Sequence, residues 1–382
     1  MPIHISFIFG TRPELIKLAP VILQARQDFR FEVSVVFTGQ HLELVRDAID
    51  FFQIEIDHHL QVMQPGKSLN ILLSTALTEL DRVYTQMSKC DAIVVQGDTT
   101  TVLAGALVAF NLNIGLAHVE AGLRSFDLLH PFPEEGNRQL VSRLARWHFA
   151  PTALSASNLL QENVPEEHIF VTGNTVVDAI YSAREIMQAS SQQSQQRLKR
   201  LSLNPQEKNK LVLITAHRRE NFGQGIQNIC QAIHELCQRY PELHFAWPVH
   251  LNPHVHTVAH QEFAQHPQVH LLSPLDYPDL LAILQASYLI MTDSGGIQEE
   301  SPTYQKPVLI LRDVTERPEV VEAGCGVLVG TDVTKIVQEF SRLMDDHSYY
   351  LQHAEVENPF GDGRASGRIL EQIIKDLNPV SS

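Results

Sequence analysis

Short apolar runs alternate with longer segments of helical periodicity along most of the chain. The first run, residues 3–9, is strand-like and ends at Gly10. Thr11 is then suited to cap a helix that tolerates Pro13 in its first turn. A repeated order of strand and helix is typical of parallel sheets joined by right-handed crossovers. The pattern therefore predicts the α/β class.

The first half of the chain follows this order with two departures. Strands are predicted at 32–38, 92–95 and 113–118, and helices at 69–87, 102–110 and 139–145. Residues 56–68 are predicted to form a longer connection that contains Pro65-Gly66. The polar residues 186–210 are predicted as the tail of a linking helix and a surface loop, near a domain boundary.

The second half of the chain restarts the same order. Strands are predicted at 211–215, 244–248, 269–272, 288–292, 306–311 and 326–329, and helices at 224–239 and 365–377. A length of 382 residues favours two domains over one. We therefore expect two Rossmann-like domains of similar build, residues 1–172 and residues 173–365, with a ligand cleft between them.

Composition and charge narrow the classes of function. The chain is 44% apolar and 19% charged, no apolar run approaches the length that spans a bilayer, and the first residues lack the basic leader of a signal peptide. The net charge of −15 counts against a nucleic-acid partner. The four scattered cysteines form no Cys-x-x-Cys pair, which argues against a zinc site or disulfide scaffold and fits a reducing cytoplasm.

Residues 290–300 form an apolar strand, a glycine-containing turn and a helix-forming segment. The backbone N–H groups of Ser294, Gly295 and Gly296 would face an anion at the positive end of the helix dipole. Glu300 is spaced to accept hydrogen bonds from a ribose diol. The alternative is an ordinary turn between a strand and a helix, and the turn alone does not decide between the two.

Charged residues follow several predicted strands at the edge where ligands bind in open α/β sheets. They are Arg12, Lys17, Asp98, Glu120 and either Glu134 or Glu135. Each has a structural alternative: Arg12 and Lys17 as solvated charges on a helix end, and Asp98 as a helix N-cap. The Gly-x-Gly-x-x-Gly fingerprint of dinucleotide binding is absent after the first strand.

Several segments, taken together and in order, match one family. They are Gly10-Thr11-Arg12-Pro13-Glu14 with Lys17, Gln96-Gly97-Asp98-Thr99-Thr100, His118-Val119-Glu120-Ala121-Gly122-Leu123-Arg124, Pro133-Glu134-Glu135 with Asn137-Arg138, His217-Arg218-Arg219-Glu220-Asn221, Asp293-Ser294-Gly295-Gly296 with Gln298-Glu299-Glu300, and Glu316-Arg317-Pro318-Glu319. In these segments the chain resembles the non-hydrolysing UDP-N-acetylglucosamine 2-epimerases. The resemblance implies a two-domain fold like that of the GT-B glycosyltransferases, in which a C-terminal helix, residues 366–382, crosses back onto the first domain.

The resemblance also implies the reaction, an interconversion of UDP-N-acetylglucosamine (UDP-GlcNAc) and UDP-N-acetylmannosamine (UDP-ManNAc). UDP is eliminated to leave 2-acetamidoglucal and then adds back, with the proton returned to the opposite face of C2. This route requires acid/base groups on both sides of the sugar and cations or amides at the diphosphate. It requires no cofactor and no metal. The family further implies a cytoplasmic homodimer that supplies UDP-ManNAc for surface polysaccharide synthesis.

Site roles follow from the same match. The catalytic candidates are Asp98, Glu120, Glu134 and His217, and the substrate-binding candidates are Arg12, Lys17, Arg138, His250, Asn252, Ser294, Gly295, Gly296, Glu300 and Arg317. Glu134 is preferred over Glu135 because it aligns with the loop carboxylate of the family. Which carboxylate acts on which face of C2 stays open, and a surface histidine in a basic loop is the alternative for His217.

Two positions depart from the family pattern. Leu280 stands where the family often has a phenylalanine near the uracil, and leucine gives up aromatic stacking. The regulatory second sugar-nucleotide site of the family, near Gln40-His41 and His250, is only partly matched, with Glu43 and Gly66 in place of glutamine and arginine in some members.

Four other functions remain as alternatives. Two are close to the epimerase function that the resemblance implies: an epimerase of a modified UDP-2-acetamido sugar, and a hydrolysing relative that releases ManNAc and UDP. A glycosyltransferase of similar fold is the third, and the set of three carboxylates favours epimerisation over it. A non-catalytic UDP-sugar sensor would have lost these carboxylates.

Overall fold

The computed structural model describes residues 1–39, 42–62, 66–188, 192–203 and 210–378. The chain divides into two compact units: unit 1, Met1–Ser182 with Phe360–Ser382, and unit 2, Ala183–Pro359. Each unit contains a parallel sheet with helices between successive strands, which confirms the predicted α/β class.

Unit 1 contains a seven-stranded sheet. Its strands are β1 (Ile3–Phe9), β2 (Phe31–Phe37), β3 (His58–His59), β4 (Ala92–Gln96), β5 (Gly115–Val119), β6 (Trp147–Ala150) and β7 (Ile169–Val171). The strand order is β3-β2-β1-β4-β5-β6-β7, and each neighbouring pair is parallel. All of β4 and β6 is buried, as expected for central strands covered on both faces.

The helices of unit 1 connect these strands. They are α1 (Arg12–Gln27), α2 (Leu42–Phe52), α3 (Leu69–Gln86), α4 (Thr100–Asn111), α5 (Glu134–Leu144), α6 (Ala153–Gln161) and α7 (Thr175–Gln188). α1 begins after Thr11 because the Glu14 carboxylate accepts the N–H groups of Gly10 (2.6 Å) and Thr11 (2.7 Å). These bonds satisfy donors that precede the helical ladder.

Unit 2 contains a six-stranded parallel sheet in the order β10-β9-β8-β11-β12-β13. Its elements are α8 (Gln192–Arg200), β8 (Lys210–Thr215), α9 (Gln224–Arg239), β9 (Leu243–Pro248), α10 (Pro253–Phe263), β10 (Val269–Leu272), α11 (Tyr277–Ala286), β11 (Ser287–Thr292), α12 (Gly295–Glu300), β12 (Val308–Ile310), α13 (Pro318–Glu322), β13 (Gly326–Leu328), α14 (Val333–Asp345) and α15 (His347–Ala354). Its core holds large fully buried rings, including Phe245, Trp247, Phe263 and Phe340.

The last helix, α16 (Ala365–Leu377), belongs to unit 1. It packs against α1, and its Asp376 accepts a hydrogen bond of 2.6 Å from the indole N–H of Trp147. This return of the C-terminal helix to the first sheet confirms the predicted crossing.

The contacts of α7 explain where unit 1 ends. The Asp178 carboxylate accepts the backbone N–H groups of Ala365 (3.2 Å) and Ser366 (2.8 Å), and the N–H of Asn174 donates to Phe360 O (2.8 Å). These bonds tie the first half of α7 to the start of α16. The predicted boundary at 172 lies before α7, whereas unit 1 continues to Ser182.

Three local predictions were wrong. α5 begins at Glu134 and not at Gln139, so Glu134 is the first residue of a helix and not a loop residue. A short strand, β3, lies in the predicted connection 56–68, and the helix α8 lies in the polar stretch 186–210. Pairing with neighbouring elements stabilises both: β3 pairs with β2, and α8 forms ion pairs with α11.

Some positions of the sequence reading lie outside the described residues. They are Gln40, His41, residues 63–65, residues 189–191, residues 204–209 and residues 379–382. Within the described ranges, no helix has both the length and the apolar character needed to cross a bilayer.

Candidate functional site

Asp98 lies immediately after β4 and pairs with Arg138 of α5. Its Oδ2 accepts Nε of Arg138 at 2.9 Å and Nη2 at 2.8 Å, and the amide of Asn137 donates to the Asp98 backbone carbonyl at 2.8 Å. Thr99, not Asp98, is the N-cap of α4, and its hydroxyl accepts the N–H of Val102. The capping alternative for Asp98 is therefore wrong, and its carboxylate instead belongs to a charged pair at the end of the strand.

Glu120 lies immediately after β5 and pairs with Lys17 of α1. Its Oε2 also accepts a hydrogen bond of 3.0 Å from the side-chain amide of Gln96. The backbone of Glu120 has a φ of +66°, an uncommon left-handed conformation for a residue other than glycine. Such conformations cost about 1–3 kcal/mol and cluster at functional sites.

The turn after Glu120 is closely packed. Gly122 has a φ of +88°, and a Cβ on this residue would lie 2.1 Å from the carbonyl oxygen of Ser155. The amide of Asn158 donates to the Gly122 carbonyl at 3.0 Å. Glycine is therefore required at this position, and the packing fixes the direction in which Glu120 leaves the sheet.

Glu134 and Glu135 have different surroundings. Both oxygens of the fully buried Glu135 have partners: Ser125 N–H at 3.0 Å and Gln139 at 2.9 Å, with Arg138 at 3.3 Å. Burial acts to raise the pKa of Glu135, but these hydrogen bonds and the cation outweigh it and lower the pKa. In contrast, Oε2 of Glu134 is buried and has no hydrogen-bond partner among the described residues.

His118, two residues before Glu120, holds the turn that precedes Asp98. Its Nε2 lies 2.8 Å from the Gly97 carbonyl, so Nε2 carries the proton that donates to it. Burial lowers the pKa of His118 to about 3. The ring is therefore a neutral structural donor, a role that the sequence reading did not assign.

His217 lies two residues after β8, over the buried carboxylate of Asp293. Its backbone N–H and that of Arg218 both donate to Asp293 Oδ2 at 2.8 Å, and its Nδ1 lies 3.5 Å from Oδ1. The ring stacks on that of His250, with centroids 5.7 Å apart. Burial lowers the pKa of His217, while the negative charge of Asp293 acts in the opposite direction.

The glycine-containing turn follows Asp293. The N–H of Ser294 donates to Thr292 Oγ1 at 2.9 Å, so the predicted availability of this amide is wrong. The first helical bond of α12 runs from Gln298 N–H to Ser294 O, and the N–H groups of Gly295 and Gly296 therefore precede the ladder.

Two guanidinium groups flank this turn. A Cβ on Gly295 would lie 3.8 Å from Nη2 of Arg218 and 3.8 Å from Nη2 of Arg317. Glu299, in the same short helix, accepts a 2.5 Å bond from Arg317 Nε and so holds this arginine beside the turn. Glu300, the last residue of α12, is 7% exposed. The turn thus combines backbone amides with positive charge, which suits an anion.

The remaining candidates have simpler surroundings. Arg12 is the first residue of α1, at the same edge of the first sheet as Asp98 and Glu120. Asn252 is the N-cap of α10: its side chain accepts the N–H of His254 at 3.0 Å, and its own N–H donates to His250 Nδ1 at 3.1 Å. Asn252 therefore has a structural role in ordering this loop.

The sequence analysis assigned no role to the residues that support the turn of His217. Asp293 and Asn221 were part of the matched segments but received no role, although Asn221 Nδ2 joins Asp293 Oδ2 (3.0 Å) to Leu311 O (3.0 Å). The available signal was an aspartate at the end of an apolar strand, directly before the glycine-containing turn. Among the described residues, no group of three or more histidine, cysteine or acidic side chains is arranged to hold a metal ion.

Comparisons with known proteins cover nearly the whole chain. The family model for UDP-N-acetylglucosamine 2-epimerase matches residues 23–374. A protein of Yersinia pestis named UDP-N-acetylglucosamine 2-epimerase is 44% identical over 366 residues, which are 96% of this chain and 97% of the relative.

Two solved structures are similar to both units. The crystal structure of a UDP-GlcNAc 2-epimerase from Neisseria meningitidis bound to UDP-GlcNAc has a TM-score of 0.91 and 42% identity, covering 98% of this chain and 100% of that one. A co-structure of the S. aureus protein MnaA with UDP has a TM-score of 0.88 and 41% identity, covering 100% and 98%.

Proposed function

The chain belongs to the UDP-N-acetylglucosamine 2-epimerase family, and from this premise we propose that it interconverts UDP-GlcNAc and UDP-ManNAc. The reaction proceeds by elimination of UDP to 2-acetamidoglucal and re-addition of UDP after the proton returns to the opposite face of C2. The C2–H bond is weakly acidic, so the step needs a positioned base and a stabilised leaving group.

Three carboxylates at one edge of the first sheet support this proposal most directly. Asp98 and Glu120 follow neighbouring strands, and Glu134 begins the helix whose next turn carries Arg138, the partner of Asp98. We assign the acid/base roles to these three carboxylates. Glu134 is favoured over Glu135 because the oxygens of Glu135 are already taken up by hydrogen bonds within unit 1, whereas Glu134 Oε2 is available.

Two of these carboxylates have a cationic partner. Arg138 pairs with Asp98, and Lys17 pairs with Glu120. Substrate binding would compete for these cations, because the diphosphate is also an anion. We therefore propose that Lys17 and Arg138 serve both the resting carboxylates and the substrate, and that Arg12 serves the substrate.

Unit 2 is proposed to hold UDP. The amides of Gly295 and Gly296, flanked by Arg218 and Arg317, suit the diphosphate, and Glu300 suits the ribose hydroxyls. His217 would stabilise the leaving diphosphate. Ser294 and Asn252 contribute less, since Ser294 N–H and the Asn252 side chain already have partners within the fold.

Location and assembly are further parts of the proposal. The resemblance and the scattered cysteines support a cytoplasmic enzyme that supplies UDP-ManNAc for surface polysaccharide synthesis. We also propose a homodimer, and in unit 1 the apolar side chains of Phe126, Leu128, Leu129 and Phe132 are 55–68% exposed. Light scattering should give a dimer mass, and a monomer at all concentrations tested would exclude this assembly.

Proton NMR of UDP-GlcNAc incubated with the protein in D₂O tests the activity. Deuterium at C2 together with new UDP-ManNAc signals is the expected result. Free ManNAc and UDP would identify a hydrolysing enzyme. Deuterium exchange only on a modified UDP-2-acetamido sugar would identify that sugar, and not UDP-GlcNAc, as the substrate. Binding without any exchange at C2 would contradict both the epimerase and the hydrolase.

A further inference from the structure

The carboxylate of Asp293 lies beneath the turn that carries His217, and it is fully buried. Its Oδ2 accepts three hydrogen bonds, from the backbone N–H groups of His217 and Arg218 at 2.8 Å and from the Asn221 side chain at 3.0 Å. One oxygen of Asp293 thus fixes the backbone of the turn.

The other oxygen faces the imidazole ring. Oδ1 of Asp293 lies 3.5 Å from His217 Nδ1 and has no hydrogen-bond partner among the described residues. This distance is longer than an ordinary hydrogen bond but within reach of a small rotation of the ring. Because Nδ1 faces the carboxylate, Nε2 lies on the opposite side of the ring. Catalytic hydrogen bonds are often long in the unliganded protein and shorten when substrate binds.

We propose that Asp293 is a positioning residue for the reaction: its carboxylate accepts Nδ1–H of His217 and so leaves Nε2 of this ring to serve the leaving diphosphate. The role of Nε2 rests on the proposed epimerase function, whereas the tautomer of His217 does not. A histidine whose Nδ1 proton is held by a carboxylate has a fixed orientation and a basic Nε2.

The arrangement has a chemical consequence for the reaction. With Nδ1–H bound to Asp293, Nε2 can donate a hydrogen bond only when the ring is protonated, since the neutral ring carries one proton. The groups that face the ring are Asp293, Arg218 and the stacked His250. Asp293 stabilises the imidazolium, Arg218 opposes it, and the bound diphosphate would add a second stabilising negative charge.

Replacement of Asp293 by asparagine should reverse the tautomer. An amide oxygen can still accept the N–H groups of the turn, while the amide NH₂ then occupies the position of Oδ1 and donates to Nδ1. The neutral ring of Asp293→Asn therefore carries its proton on Nε2, and its imidazolium loses the stabilising carboxylate. We expect kcat to fall about 10–100-fold with little change in KM, because the charge that stabilises the leaving group is lost.

The test is ¹⁵N–¹H NMR of histidine-labelled protein without substrate, at a pH at which the ring is neutral. His217→Gln identifies the signals. We expect the Nδ1–H tautomer in the unmodified protein and the Nε2–H tautomer in Asp293→Asn. Asn221→Ala is the matched control, since it removes a contact to Oδ2 without facing the ring, and it should lower stability while the Nδ1–H tautomer persists.

The outcomes separate this inference from the proposed function. An Nε2–H tautomer in the unmodified protein would overturn the role of Asp293, whatever the activity, and this measurement does not require Asp293→Asn to fold. The Nδ1–H tautomer in a protein that does not exchange C2 of UDP-GlcNAc would overturn the proposed function but leave the tautomer assignment in place. A kcat of Asp293→Asn equal to that of the unmodified protein would show that the positioning has no catalytic consequence.

Discussion

The two units hold their candidate site residues in different ways. In unit 1 two of the three proposed acid/base groups are themselves members of ion pairs, Asp98 with Arg138 and Glu120 with Lys17. In unit 2 the proposed ligand-binding turns are held from below by buried acids, Asp293 and Glu299, that are not proposed to contact the substrate. On the proposed roles, two carboxylates that change charge during the reaction lie beside cations, whereas the amides and arginines proposed to bind the diphosphate are held by buried acids that stay within the fold.

Neutralising a carboxylate of unit 1 should have the largest effect. Asp98→Asn, Glu120→Gln and Glu134→Gln should each lower turnover by about 10²–10⁴-fold, the range in which a positioned acid or base contributes. Affinity for UDP, measured by calorimetry, should change little because unit 2 is proposed to hold the nucleotide. The control is Glu167→Gln, an exposed acid of the same unit. A collapse of UDP affinity in the three variants would remove the division between the units.

The two units also differ in how closely a glycine turn is packed. Gly122 in unit 1 and Gly324 in unit 2 both have a positive φ, but only Gly122 would place a Cβ against a backbone oxygen, at 2.1 Å. We expect Gly122→Ala to lower the free energy of unfolding by about 3 kcal/mol or more, from strain and overlap together. Gly324→Ala should cost about 1–2 kcal/mol, from strain alone. If urea unfolding gave the same loss of free energy for both variants, the turn after Glu120 would be no more tightly packed than the turn at Gly324.

The ion pair at Glu120 can be compared with an exposed pair of the same unit. Lys17 and Glu120 are 12% and 7% exposed, whereas Arg368 and Asp362 are 45% and 50% exposed. Lys17→Met should lower the unfolding free energy by about 2 kcal/mol, because it leaves a buried carboxylate without its cation. Arg368→Ala should cost less than about 1 kcal/mol, because solvent screens this pair. A Lys17→Met variant as stable as the unmodified chain would mean that the other partners of Glu120, Gln96 among them, compensate for the lost cation.

The buried His118 of unit 1 should make the stability of the protein depend on pH. Burial lowers the pKa of His118 to about 3, from an ordinary value near 6.5. Between these values the unfolded chain binds a proton that the folded chain does not, so the unfolding free energy falls as the pH falls, by at most about 1.4 kcal/mol per pH unit. His118→Gln, whose amide can replace the donor to Gly97 O, should lack this contribution. Parallel pH profiles for the two proteins would contradict a neutral buried His118.

Periodicity predicted the architecture because it is a local property. The strand at 269–272 and the helix at 365–377 were predicted with the observed bounds because their apolar spacing is regular, whereas the range 366–382 implied by the resemblance extends past the observed helix end at Leu377. The start of α5 was not predicted, because Glu134 to Arg138 are polar residues with little apolar pattern, and the contacts of Glu135 and Arg138 hold the helix there. Tertiary contacts override a weak local preference in such a segment.

The candidate site was only partly predictable for a similar reason. The strand ends that carry Asp98 and Glu120 could be located, but their partners lie 40 and 103 residues away, and spacing along the chain gives no indication of such pairs. Asp293 was overlooked because a buried acid that serves backbone N–H groups looks, in sequence, like any residue of a turn. Its role becomes visible only when the distances to His217 and Asn221 are known.

Cleavage of the bond between C1 and the diphosphate oxygen is the central claim about the chemistry. UDP-GlcNAc labelled with oxygen-18 at this bridging position tests it, with the ³¹P NMR isotope shift as the readout. If UDP leaves and returns, the label should move from the bridging to the non-bridging oxygens of the β-phosphate while UDP-ManNAc accumulates. Formation of UDP-ManNAc with the label fully retained in the bridge would show that C2 inverts without elimination, and would contradict this account.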